Sequence, residues 1–273
     1  NAGYVNIVEA NIFDEEKIRG LFSKTDICIN LVGILYESGK GNTFKNIHSI
    51  FPSVLAKLCK EYSVEQFIHL SALGVDDATN SFYAISKVKG EENIKKNFEN
   101  ATILRPSVVY GVSDKFTNKF MHLLNIFFIF PLYYRGLTKF KPIHVSDLTE
   151  IIFQIIFKNI NSITIECVGP EEMSLKNIIL RLLFHMKKKR LLVPIPNLIA
   201  KLTAKFLELF PRPLLTSDQL RLLKFNSIPS AKFKTNFDLG LPSVADFDSE
   251  LKKYAWMYSE SGEFSQKKYD IID

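Results

Sequence analysis

The sequence predicts an α/β protein: a parallel sheet flanked by helices, with a smaller, mostly helical lobe after it. Three observations carry this. Short, almost wholly apolar runs of strand length stand at 26–32, 66–70 and 102–104, as expected of strands buried on both faces. Longer stretches between them repeat their apolar residues every three or four positions. Strand and helix alternate, which is the pattern of βαβ units. The 273 residues are 47% hydrophobic and 23% charged, an ordinary globular composition for one large domain or a domain with a lobe.

The elements follow in order. Within the apolar run 4–8 (YVNIV), residues 5–8 read as a strand, and 14–21 has helical character. The run 26–32 is a buried strand. Over 43–61, Phe44, Ile47, Ile50, Phe51, Val54, Leu55 and Leu58 keep helical spacing, so one long helix is expected. A strand at 66–70, a helix at 83–98 and a strand at 102–104, stopped by Arg105-Pro106, complete the alternation. The run 120–134 (FMHLLNIFFIFPLYY) is too short to span a bilayer and reads as a buried helix or a membrane-surface segment. Residues 163–168 form a strand, and Ser174 starts a helix reaching about Met186. Residues 197–210 are amphipathic, with Leu198, Ile199, Leu202, Phe206, Leu209 and Phe210 on one side and Lys201, Lys205 and Glu208 on the other. That helix either packs on the lobe or docks on a membrane or another subunit. Polar residues follow Met257.

The segment SALGVDDATNSFYAISKVKGEE (71–92) sets Ser71 twelve residues before Tyr83 and Lys87 four after it. Tyr-x-x-x-Lys also occurs at Tyr36 and Lys40, but there Gly39 and the run SGKGN indicate a loop. Ser71 instead stands at the carboxyl end of a strand, and Tyr83 and Lys87 share one face of the next helix. Parallel sheets bind ligands beyond the carboxyl ends of their strands. Asn30 to Gly33 and Pro106-Ser107 leave that same rim. A tyrosine there can exchange a proton with a carbinol, a lysine one turn away can lower its pKa, and a serine can hold the reacting oxygen. The plainer alternative is a turn-capping serine, a packed tyrosine and a solvated lysine.

Five pieces in order, DICINLVG (26–33), HLSALG (69–74), YAISK (83–87), RPSVVYG (105–111) and PIHVSDL (142–148), resemble the extended or atypical branch of the short-chain dehydrogenase/reductase superfamily. Within it, NLVGILYE (30–37), SFYAISKVKGEE (81–92), ILRPSVVYG (103–111) and PLLTSDQLRLLK (213–224) look like bacterial relatives of the nucleotide-binding accessory subunit of respiratory complex I. The resemblance implies an incomplete Rossmann-type sheet over 1–145, a C-terminal substrate or docking lobe over 146–257 and a polar tail over 258–273. It implies NADP or NAD as cofactor, NADPH being favoured. Ser71, Tyr83 and Lys87 would be the catalytic residues, and Asn30, Gly33, Tyr83, Lys87, Pro106 and Ser107 would bind the cofactor. It also implies complex I subunits as partners, and a cytoplasmic place or one peripheral on the inner face of an energy-transducing membrane, the matrix side in a eukaryote.

Two departures qualify the resemblance. The superfamily opens with a strand and a G-x-x-G-x-x-G turn whose amides meet the pyrophosphate. No three of the twelve glycines here have that spacing. Residues 1–11 resemble the third strand instead, with Asn11 or Asp14 near the adenine. The expectation is that fifty to sixty family residues are missing from the start, that the sheet edge is exposed, and that the chain binds a dinucleotide weakly or not at all. His48 falls where relatives place a proton-relay asparagine, or it is a packing residue. His69 reads as packed, and Asp147 or Ser146 as the cap of a helix. No histidine pair has metal-ligand spacing, so no metal is expected. Cys28, Cys59 and Cys167 lie far apart and suit a reducing compartment. The net charge of +6 is scattered apart from Lys187 to Arg190, which reads as a helix C-terminus; with no aromatic interleaving, nucleic acid is not an expected partner. Three functions stay open: an accessory complex I protein with a structural nucleotide, an active NAD(P)-dependent reductase, dehydrogenase or epimerase, and a sensor of NADP(H).

Overall fold

The computed structural model describes residues 5–211, 213–259 and 262–264. In chain order its elements are α1 (Glu15–Leu21), β1 (Ile27–Asn30), a π-helical segment (Lys45–Ile50) running into α2 (Phe51–Glu61), β2 (Gln66–Leu70), α3 (Phe82–Asn97), β3 (Ala101–Pro106), β4 (Val109–Tyr110), α4 (Thr117–Ile126), β5 (Ile129–Leu132), β6 (Lys139–Phe140), β7 (Ile143–His144), α5 (Val145–Phe157), β8 (Thr164–Cys167), β9 (Met173–Ser174), α6 (Leu175–His185), β10 (Leu191–Pro194), α7 (Asn197–Leu207), α8 (Ser217–Leu222), β11 (Lys234–Thr235) and α9 (Phe247–Ala255). The main sheet has five strands in the order β1-β2-β3-β8-β11, all parallel. Its last two strands come from beyond residue 145.

Successive strand residues point to opposite faces, and two cores result. Phe67 packs with Leu55, Leu58 and Ile94 on the side of α2 and α3. Its neighbour Ile68 packs with Leu104, Ile151, Ile155 and Ile165 on the side of α5. Each fully buried side chain of this size contributes about 1.5–3 kcal/mol. A third core joins α4, α6 and α9 in the C-terminal lobe. Helix α3 lies very close to the π-helical segment. A Cβ on Gly90 would stand 1.9 Å from the His48 carbonyl oxygen, so only glycine fits there.

Several expectations are corrected. Residues 5–8 are irregular, with Val5 83% and Ile7 90% exposed; Tyr4 lies outside the described residues. A strand needs a neighbour to satisfy its backbone, and among the described residues none lies beside this run. Strand β1 is at the edge of the sheet and leaves Ile29 42% exposed, so it is not buried on both faces. The long helix at 43–61 begins instead with a π-helical turn. The run 120–134 is not one helix: α4 ends at Ile126, and β5 then pairs with β10 through Pro131 and Val193. Helix α5 is capped by His144, whose Nδ1 accepts from the Ser146 amide and lies 2.7 Å from the Ser146 hydroxyl. Asp147 instead accepts from the Val244 and Ala245 amides. The basic run follows α6 rather than closing it. Arg190 donates to the carbonyls of Leu124 and Asn125, so its charge meets the C-terminal turn of α4. Most of the expected polar tail lies outside the described residues.

Candidate functional site

The register fixes the site. Asn30 pairs with His69, Leu70 with Leu104 and Pro106 with Cys167, so four strands end at one edge. Ser71 follows β2 there, held by its amide to the Leu104 carbonyl at 2.7 Å. Tyr83 and Lys87 descend from the first two turns of α3. The start of α3 is fixed from the C-terminal lobe: the Asp218 carboxylate accepts from the Ser81 hydroxyl at 2.8 Å, the Phe82 amide at 2.7 Å and the Tyr83 amide at 3.0 Å. A carboxylate at a helix N-terminus satisfies free amides and opposes the helix dipole favourably.

Lys87 is 4% exposed, and its Nζ donates to the Leu70 carbonyl at 3.0 Å, directly before Ser71. Burial lowers its ammonium to about 8, with the Glu91 charge pulling the other way. The Ser71 hydroxyl is buried and has no hydrogen-bond partner. Tyr83 packs edge-on against the His48 ring, centroids 5.1 Å apart, and against Phe44 at 5.9 Å. Burial pushes its phenol up to about 12. A fall beside Lys87 was expected; burial alone accounts for the rise. At neutral pH Tyr83 is a proton donor rather than a base.

His48 is fully buried, and its Nε2 accepts from the Ile34 amide at 3.0 Å. Its Nδ1 lies 2.9 Å from the Ser86 hydroxyl, which donates to the Tyr83 carbonyl at 2.7 Å. A single tautomer, with the proton on Nδ1, satisfies both contacts. Burial first, then the Lys87 charge, hold this ring at about 3, so it stays neutral. His48 thus positions the Gly33–Ile34 turn and backs the Tyr83 ring. It sits in a π-helical turn, a distortion frequent at functional sites.

Gly33, Ser71, Tyr83, Lys87, Pro106 and Ser107 line one cavity of about 980 Å³. Asn30 does not. Its side chain is turned into the sheet, bonded to His69 Nδ1 at 3.0 Å and to the Val32 amide at 3.1 Å. The Ser107 hydroxyl is engaged with the Ser227 carbonyl and the Lys141 amide. His69 is buried, and its Nε2 has no partner. Among the described residues no group of three His, Cys, Asp or Glu side chains is placed to hold a metal ion.

The sequence profile of the NAD dependent epimerase/dehydratase family matches residues 1–161, more than half of the chain. The chain belongs to that family. Its similarity to named proteins runs further. It is 25% identical to the NADH-ubiquinone oxidoreductase 40 kDa subunit, mitochondrial, of Neurospora crassa, over 98% of this chain and 69% of that protein. It is 26% identical to the NADH dehydrogenase (ubiquinone) 1 alpha subcomplex subunit 9, mitochondrial, of Mus musculus, over 97% of this chain and 72% of that protein. Among solved structures, the UDP-glucuronic acid 4-epimerase of Bacillus cereus, in complex with UDP-glucuronic acid and NAD, superposes with a TM-score of 0.65 at 17% identity, over 91% of this chain and 79% of that one. That likeness shows a shared fold.

An NAD-type nucleotide is tested by the groups present in this epimerase/dehydratase-family chain. Ser71 with its orphan hydroxyl, Tyr83 and Lys87, whose ammonium is bonded to one carbonyl, all line one cavity. Gly33 lies against this group: a Cβ there would stand 3.5 Å from Lys87 Nζ, an ordinary contact. These groups fit the nicotinamide and ribose end of a dinucleotide. Sequence reasoning missed Asp218, though its place in the capping box Thr216–Gln219 was a visible helix-start signal. It also missed Arg105. Buried under Phe233, Arg105 makes paired bonds to Glu91 on α3 and to Asp76, tying the loop after Ser71 to the helix that carries Tyr83.

Proposed function

We propose that the chain is an accessory subunit of respiratory complex I, in which a nucleotide serves structure rather than turnover. The observation that carries this is the reach of the similarity. The family profile ends at residue 161, whereas the match to the two mitochondrial complex I subunits covers 97–98% of the chain, including the lobe that supplies Asp218. NADPH is the favoured ligand, held at its nicotinamide end by Gly33, Ser71, Tyr83 and Lys87. When bound, the nicotinamide supplies hydride chemistry. Around it Lys87 offers two remaining N–H donors to ribose hydroxyls, and Ser71 and Tyr83 offer hydroxyls. With the phenol at about 12 and the lysine at about 8, both groups carry their protons at neutral pH and offer donors to a bound nucleotide. The chain would sit against an energy-transducing membrane, on its matrix side in a mitochondrion. Among the described residues no helix is long and apolar enough to cross a membrane.

The test is co-migration. The tagged chain, expressed at native level, is expected to run with complex I on a native gel after mild solubilisation, and its deletion to lower assembled complex I. A chain that stays free while complex I assembles fully without it defeats the proposal. A second reading, an active reductase, dehydrogenase or epimerase, is favoured by the unpartnered Ser71 hydroxyl. Tyr83→Phe separates the two: a holding site keeps assembly and thermal stability, whereas an enzyme loses most of its turnover.

A further inference from the structure

The cavity extends well past the Ser71, Tyr83 and Lys87 end, and its far half has a different chemistry. Its walls there are Phe116, Phe120 and Leu123 around α4, Phe130 on β5, and Leu202 and Phe206 on α7. The volume of about 980 Å³ lies at the upper end of small-molecule sites, which run from about 300 to 1,000 Å³. Such walls suit a long apolar chain. Tyr133 and Thr203 add hydroxyls beside them, too few to pair every group of a hydroxyl-rich sugar taken out of water. Leu202 and Phe206 are also more than 60% exposed, so the greasy wall reaches the surface and forms an apolar mouth.

Two cations stand on this half. Lys119, half-buried on α4, and Lys115 just before it both line the cavity, and among the described residues neither has an ion-pair partner. Burial lowers the Lys119 ammonium from its ordinary value, and an anion would relieve that cost. We propose that this half of the cavity binds a long-chain carboxylate of the fatty-acid class, with its chain between α4 and α7 and its head on Lys119 and Lys115. The slot lies beside the nucleotide end and goes beyond the accessory-subunit reading.

The experiment uses the full chain and cis-parinaric acid, a fluorescent long-chain carboxylate, with palmitate, hexadecanol and UDP-glucose as competitors. Saturable binding of one parinaric acid per chain is expected, displaced by palmitate and not by UDP-glucose. Replacing both cations, Lys115→Gln with Lys119→Gln, is expected to weaken palmitate about tenfold, the scale of one charge-assisted hydrogen bond, and to leave hexadecanol unchanged. Leu207→Trp, which fills the cavity from α7, is expected to abolish both; Leu198→Ser, on the exposed stripe outside the cavity, to change neither. The proposal is overturned by an absence of saturable binding, by displacement with UDP-glucose, by an unchanged palmitate affinity in the lysine pair, or by loss in Leu198→Ser with retention in Leu207→Trp. Should Leu207→Trp fail to fold, the lysine pair decides alone. Failure here leaves co-migration with complex I untouched, and failure of co-migration leaves this binding untouched.

Discussion

Helices α2 and α7 are each eleven residues long and carry similar stripes of leucine and phenylalanine, yet they sit in opposite ways. Helix α2 turns its stripe inward: Phe51, Leu55 and Leu58 are buried against the sheet and α3. Helix α7 turns its stripe outward. Leu198 is 71% exposed and Leu202 and Phe206 are also exposed, while Ala200 and Ala204 make the contact with Leu220, Tyr133 and Leu215. The difference teaches that amphipathic spacing announces a helix but not which face is covered. Helix α2 crosses between two strands of one sheet, and its apolar face has nowhere else to go. Helix α7 is bracketed by Pro194, Pro196 and Pro211, and two alanines let it approach its neighbours closely. Its larger side chains then wall the cavity mouth and the surface.

Four measurements break or sharpen this contrast. The largest effect is expected in α2. Leu55→Ala removes a side chain buried among Leu58, Phe67 and Ile94 and is expected to cost about 3 kcal/mol in urea unfolding. A cost below about 1 kcal/mol would mean that the α2 face is not the packed one. Acid comes next. The His48 ring, at the start of the same helical run, is held at about 3 against an ordinary 6.5. The unfolded chain therefore binds the extra proton between these values, and stability present above 6.5 is lost as the pH falls toward 3. From about pH 7 to about pH 5 this is a loss of about 2 kcal/mol, which His48→Gln should remove while leaving the share of His69, also held well below its ordinary value by burial. Identical pH slopes in the two proteins would rule the buried ring out as the cause.

The third effect is smaller and links the two regions. Asp218 stands on α8, which packs on α7, and its carboxylate caps α3. Asp218→Asn is expected to lower the thermal stability by about 1–2 kcal/mol, because one oxygen and the charge at the helix start are lost. An unchanged midpoint would separate the α7–α8 arm from the site. The smallest effect belongs to α7 itself. Leu198→Ala is expected to change stability by less than about 0.5 kcal/mol. A cost above about 1.5 kcal/mol, checked against the elution volume, would reveal that a second copy covers the stripe in solution.

Much of the site was legible because its signals are local. Tyr83 and Lys87 are one helical turn apart, Ser71 ends an apolar strand, and their meeting in one cavity follows from those two facts and a parallel sheet. The parts that were not legible depend on distant chain. Asn30 was expected at the cofactor, but its amide is taken up by His69 on the neighbouring strand. The tyrosine pKa was expected to fall beside a lysine, but burial raises it, and burial is set by what excludes water there. Asp218 lies 135 residues beyond Tyr83 and reaches it through the C-terminal lobe.

Taken alone, the sequence settled the alternation of strand and helix from β1 to β3, the parallel sheet and the rim on which the serine, tyrosine and lysine gather, because periodicity and strand-end position are written within a few residues. Only the tertiary structure decided that residues 5–8 form no strand, that β1 is an edge, that α7 faces outward and that phenylalanines and leucines wall the cavity. Those outcomes depend on which surfaces find a partner, and partners come from residues far apart in the chain.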